Sequence, residues 1–158
     1  MIPRQFFVTT GSGVSKISHL NSFDKALFEA GIDNCNLVRV SSILPPGVVQ
    51  IPPRKIESGS IVFCVLGCMN GGAGEKISSG IGWAKCRSLS GDEDFGLIAE
   101  DAGFKDESSL RSDIKEKLVE MAESRNMEIL EDNYLTKELS EIPRESFGSV
   151  VAALVFLP

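Results

Sequence analysis

Apolar positions along the chain repeat with two periods, and each period predicts its own kind of element. Gln5 to Thr9 is apolar and rich in β-formers, and Gly11-Ser-Gly13 reads as its break. A helix is predicted next. Asn21 fits its N-cap, Asp24 stands three residues on like a capping-box acid, and Gly31 fits the stop. Phe23, Ala26, Leu27 and Ala30 share one face of that helix. Cys35 to Ile43 predicts a strand, interrupted by Asn36, Arg39 and Ser41 and ended by Pro45-Pro46. Val48 to Ser58, with two more prolines, predicts an extended connection.

Ile61 to Met69 is a strongly apolar strand, followed by a turn signal at Asn70-Gly71 that Gly72-Ala-Gly74 lengthens into a loop. The Gly- and Ser-rich stretch Lys76 to Lys85 predicts a strand that pairs back, its glycines marking a bulge or close backbone approach. Phe95 to Glu100 predicts another strand. Leu110, Ile114, Leu118 and Met121 recur at helical steps, so Ser109 to Ser124 is the clearest helix. Met127 to Leu130 predicts a short strand, and Val150 to Leu157 (VVAALVFL) a nearly continuous apolar one. The sum is an α+β domain spanning residues 1–158, with mostly antiparallel strands and two main helices in layers.

Composition narrows the function classes. A chain of 158 residues buries roughly 70% of its unfolded surface and needs no disulfide or metal to hold it. With one Trp and one Tyr, aliphatic and small residues must fill the core. A net charge of −6 without a basic cluster argues against binding nucleic acid, which requires phosphate neutralisation; the acidity also suits a cationic substrate. No run approaches the roughly 20 apolar residues of a membrane span, and the N-terminus has no signal-peptide pattern. Cys35, Cys64, Cys68 and Cys86 sit among apolar or small residues, as buried thiols of a cytoplasmic protein do.

Several motifs fail on inspection. Gly71-Gly-Ala-Gly-Glu-Lys76 is not a phosphate loop, because Glu75 intervenes and Ile77 follows the lysine where Ser or Thr is needed. Cys64 and Cys68 have no second pair at zinc spacing, so no metal site is expected. His19, the only histidine, leaves little from which to build a Ser–His or Cys–His hydrolase. The pair Ser41-Ser42 carries little by itself, since Ser78-Ser79 and Ser108-Ser109 also occur. What distinguishes it is its place at the end of an apolar strand, just before Ile-Leu-Pro-Pro.

The run from Leu20 to Pro46, containing Asn21-Ser-Phe-Asp-Lys-Ala-Leu, Ala30-Gly-Ile-Asp-Asn-Cys-Asn-Leu-Val-Arg-Val and Ser41-Ser-Ile-Leu-Pro-Pro46, closely resembles the signature of archaeal-type pyruvoyl-dependent arginine decarboxylases. Phe95-Gly-Leu-Ile-Ala-Glu100 resembles that family's strand carrying a catalytic glutamate. Asp33 stands where some relatives have Gly, a departure that bears on pocket shape and substrate preference.

The resemblance implies a layered αββα sandwich, assembled as a trimer or a pair of trimers with sites between subunits. It implies self-cleavage into a β chain, 1–41, and an α chain, 42–158, by attack of Ser42 on the Ser41 carbonyl. Residue 42 then becomes a covalently bound pyruvoyl group, which forms a Schiff base with L-arginine and releases agmatine and carbon dioxide. By the same resemblance Asn36 stabilises the oxyanion of cleavage, Glu100 reprotonates the substrate carbon, and Asp24 faces the guanidinium. Two other readings compete: the same chemistry on another amino acid, and an uncut homologue serving as a structural or binding subunit.

Overall fold

A computed structural model describes residues 2–158. In chain order the elements are β1 (Gln5–Ser15), α1 (His19–Ala30), β2 (Asn36–Arg39), β3 (Ile43–Leu44), β4 (Val49–Gln50) and β5 (Ile61–Gly71). They continue with β6 (Ile77–Ser88), β7 (Gly96–Gly103), α2 (Glu107–Glu123), β8 (Met127–Leu139) and β9 (Phe147–Leu157). One sheet has the order β2-β5-β9-β1-β4 and the other β3-β7-β6-β8. The β1–β4 and β2–β5 pairs are parallel; all other pairs are antiparallel.

Three cores separate four layers. Ala26 and Ala30 of α1 pack with Phe7, Cys64, Leu66 and Val155 on the outer face of the five-stranded sheet. Phe6, Val65, Ile81, Trp83, Ile98 and Leu154 fill the space between the sheets. Leu110, Ile114 and Leu118 of α2 pack with Ala84, Leu97 and Ala99 on the outer face of the four-stranded sheet. The architecture is therefore the expected αββα sandwich. β9 lies at the middle of its sheet and feeds both neighbouring cores from alternate residues, so its run is apolar without alternation.

Gly11-Ser-Gly13 does not end the first strand, contrary to expectation. β1 runs on to Ser15 in unbroken register with β9, from Gln5 opposite Leu157 to Ser15 opposite Phe147. The glycines serve the helix instead. A Cβ on Gly11 would lie 2.1 Å from the Ala26 carbonyl oxygen, and one on Gly13 2.3 Å from that of Ser22. Gly80 and Gly82 of β6 play the same part for α2, where added carbons would meet Ile114 at 2.8 and 2.5 Å. Both helices thus lie on glycine seats, the close approach that a Gly-rich strand implies. Gly11→Ala is expected to cost about 3 kcal/mol by overpacking against helix backbone that cannot yield locally, measurable by urea unfolding.

The cap of α1 also differs from expectation. Ser18, not Asn21, is the N-cap, its hydroxyl accepting from the Asn21 N–H at 3.1 Å. Asp24 is therefore a mid-helix residue with no capping role. Gly31 closes the helix at φ 72°, as expected. β8 extends nine residues past the predicted end at Leu130, paired with β6 down to Leu139 opposite Ile77. Its outward charges bind neighbours, as in the Lys85–Glu131 pair at 3.3 Å and the Lys137–Glu29 pair at 3.4 Å.

Candidate active site

The predicted strand Cys35 to Ile43 is two strands in two different sheets. β2 runs parallel to β5, and its last bond is donated by the Val40 N–H to the Cys64 carbonyl at 2.9 Å. β3 pairs with β7 in the other sheet, where the Ile98 N–H donates to the Ser42 carbonyl at 2.8 Å. The chain changes sheets between these two bonds. The Ser41–Ser42 peptide is the crossing, tied to one sheet just before it and to the other just after. Pro45, which can donate no ladder bond, ends β3 after two residues. Ser41 is exposed and Ser42 half-buried. Beside Ser41 opens a groove of about 860 Å³ with apolar walls that include Val40, Ile43, Ile61 and Phe63.

Side-chain alternation places Glu100 near Ser42. Leu44 packs between the sheets, so Ser42, two residues earlier, turns to that same face. Ile98 packs there too, and Glu100 follows it by two. Continuing the β3–β7 register puts Ser42 opposite Ile98, with Glu100 its diagonal neighbour. Diagonal Cβ atoms lie about 7–8 Å apart, a gap that a long side chain closes. Glu100 is half-buried. Ser79 faces the same space from β6, fully buried, and its hydroxyl has no partner among the described residues.

Asp101, next in the chain, points to the opposite face and meets α2. Its carboxylate accepts from Lys105 Nζ at 2.8 Å and lies 3.1 Å from Lys117 Nζ. Burial alone would raise the Asp101 carboxyl, but hydrogen bonds from Lys105, Lys117 and the Ala102 N–H outweigh it and hold it below the usual range. Lys117 Nζ also donates to the Glu100 backbone carbonyl at 3.1 Å. Sequence reading singled out none of these three. The Asp101–Lys105 spacing of four was visible, but neither residue lies within a helix, where such spacing signals a pair.

Two other predicted site residues lie apart from Ser42. Asn36 opens β2; its N–H donates to the Ser60 carbonyl at 2.8 Å and its Nδ2 to the Gly59 carbonyl at 3.2 Å. Five residues of extended chain, about 16 Å, separate it from Ser41. Asp24 is exposed on α1, across the five-stranded sheet from the face that Ser42 and Glu100 share.

The cysteines are free thiols. Burial pushes Cys64 up to about 11 and raises Cys35, Cys68 and Cys86 as well, which suits inert packing rather than nucleophilic use. Among the described residues no group of three or more His, Cys, Asp or Glu is placed to hold a metal ion. No described helix is long and apolar enough to cross a membrane.

Residues 5–158 match the family model described as pyruvoyl-dependent arginine decarboxylase. The chain belongs to that family. Pyruvoyl-dependent arginine decarboxylase of Methanothermobacter thermautotrophicus is 34% identical over 154 residues, covering 95% of this chain and 94% of that protein. The pyruvoyl-dependent arginine decarboxylase of Methanopyrus kandleri is 32% identical over 155 residues, covering 98% and 97%. Pyruvoyl-dependent arginine decarboxylase 1 of Methanosarcina acetivorans is 31% identical over 169 residues, covering 99% and 97%. The family's name implies a pyruvoyl group.

Proposed function

We propose that this chain is the precursor of an enzyme that decarboxylates L-arginine to agmatine and carbon dioxide, using a pyruvoyl group made from Ser42. The observation that carries the reading is the Ser41–Ser42 peptide, which spans two sheets between a bond to Cys64 and a bond from Ile98. A peptide held by separate frameworks on its two sides is poorly free to relax, which suits a site of backbone rearrangement.

In that reaction the Ser42 Oγ attacks the Ser41 carbonyl carbon. The C–N bond breaks, the acyl group passes to oxygen, and the proton from Oγ ends on the Ser42 nitrogen. Loss of the residue-42 α-proton then expels the Ser41 carboxylate and leaves a dehydroalanine. Water adds and ammonia leaves. The products are a chain of residues 1–41 and a chain beginning at position 42 with a ketone. When formed, this group supplies an electron sink for decarboxylation.

The chain's own residues do the rest. Glu100, diagonal to Ser42, returns a proton to the substrate carbon. Asn36 and Asp24, which lie away from their own Ser42, act on that of a neighbouring copy: Asn36 as oxyanion donor and Asp24 as carboxylate partner of the guanidinium. The apolar groove beside Ser41 favours such a neighbour, and a trimer or pair of trimers places one beside each site. Free thiols fit a cytoplasmic enzyme.

Intact mass and product analysis on the purified protein test the reading. Two chains are expected, the larger without a free N-terminal amine, together with agmatine and carbon dioxide from arginine. One uncut chain after prolonged incubation, or carbon dioxide from another amino acid with no agmatine from arginine, would overturn it.

A further inference from the structure

The outer edge of β7 loses its strand partner just before Glu100. β3 pairs only with Gly96 and Leu97 and adds the one bond from the Ile98 N–H to Ser42. In an antiparallel strand, residues two apart direct their backbone groups to the same side. The Ile98 N–H points toward β3, so the N–H and C=O of Glu100 point toward that same edge, beyond where β3 reaches. What meets the Glu100 carbonyl is Lys117 Nζ of α2, at 3.1 Å. The same nitrogen lies 3.1 Å from the Asp101 carboxylate, whose other oxygen binds Lys105 at 2.8 Å. Lys105 in turn binds Asp113 of α2, and its backbone carbonyl accepts from the Ser78 hydroxyl of β6 at 2.7 Å.

We propose that Lys117, with Asp101, is a positioning residue that replaces the missing strand and fixes the backbone from which Glu100 reaches the residue-42 group. The inference rests on the reading of Glu100 as proton donor. It concerns placement rather than folding energy, because half-exposed ion pairs contribute little to stability. Two adjacent residues are held on both sides of the strand: Glu100 through its carbonyl at the edge, Asp101 through its carboxylate on the α2 face. Freed from that hold, the end of β7 keeps β6 as its one strand partner and has an unpaired outer edge. A displacement of about 1 Å at a reacting group costs up to roughly 100-fold in rate.

The test compares Lys117→Met, Lys117→Arg, Asp101→Asn and Glu100→Gln in the self-processed protein. Lys117→Met is expected to cleave fully and to lose on the order of 10-fold in kcat with KM for arginine unchanged, the mark of a group acting at the chemical step. Lys117→Arg, which keeps donors for both acceptors, restores most of that kcat. Asp101→Asn shows a smaller loss of the same kind, and it decides the matter should Lys117→Met fail to fold. A lowered Tm with wild-type kcat, or a change confined to KM, overturns the proposal. Loss of turnover in Glu100→Gln beside wild-type kcat in both Lys117→Met and Asp101→Asn overturns the positioning role alone. Full turnover in Glu100→Gln overturns the proton-donor reading and the positioning role with it.

Discussion

Ser42→Ala yields a protein that stays one 17.1 kDa chain on denaturing gels and by intact mass, however long it is incubated, and that forms no agmatine. The expectation follows from the chemistry at the crossing. In the proposed reaction the Ser42 Oγ is the nucleophile in the acyl shift, the atom that carries the ester, and the leaving oxygen when the dehydroalanine forms. Removing it stops the sequence at its first step, so both cleavage and turnover vanish together. The substitution removes one oxygen from a half-buried residue whose backbone carbonyl supplies the bond to Ile98. That bond does not need the hydroxyl, and thermal unfolding should change little. Ser41→Ala provides the internal contrast. Its carbonyl is attacked but its hydroxyl takes no part, so cleavage should persist. Cleavage in Ser42→Ala, or its loss in Ser41→Ala alone, would move the nucleophile to another atom.

Much of the sandwich was legible in the sequence because burial on one or both faces prints a period. α2 announced itself through Leu110, Ile114 and Leu118, which all pack into one core. β9 did so through an unbroken apolar run that the central position of the strand requires. Features hidden from a linear reading are those in which a residue serves a distant neighbour. Gly11 and Gly13 resemble a strand break until α1 is laid across them. The far half of β8 is an edge strand whose polar side chains pair with charges from β6 and α1, so it lacks the apolar alternation expected of a strand.

The site divides in the same way. Ser42 and Glu100 were legible through the motifs around them, and the register brings them to one face. The sheet change at Ser41–Ser42 was not legible, because Cys35 to Ile43 has the composition of one continuous strand and only the partners of Val40 and Ser42 reveal two. Asn36 and Asp24 came from the same motif but lie apart from Ser42 within the chain, a separation that a linear signature does not record. Lys117 left no trace at all. Its two contacts are with residues 16 and 17 positions earlier, reached only when α2 packs over β7.

Glu100→Gln separates the two halves of the chemistry. The variant is expected to cleave between residues 41 and 42, since the proposed acyl shift uses the Ser42 hydroxyl and the Ser41 carbonyl. Its decarboxylation should fall by roughly 100- to 10,000-fold, the range that a positioned acid contributes. Glutamine keeps the length and shape of the side chain and its capacity to hydrogen-bond, but it has no proton to give to carbon. The loss should therefore appear in kcat far more than in KM, because arginine binding depends on other groups. Loss of cleavage in this variant would place Glu100 in the maturation step instead. Retention of full turnover would mean that another acid donates, and the nearby buried hydroxyl of Ser79 would then be the first group to replace.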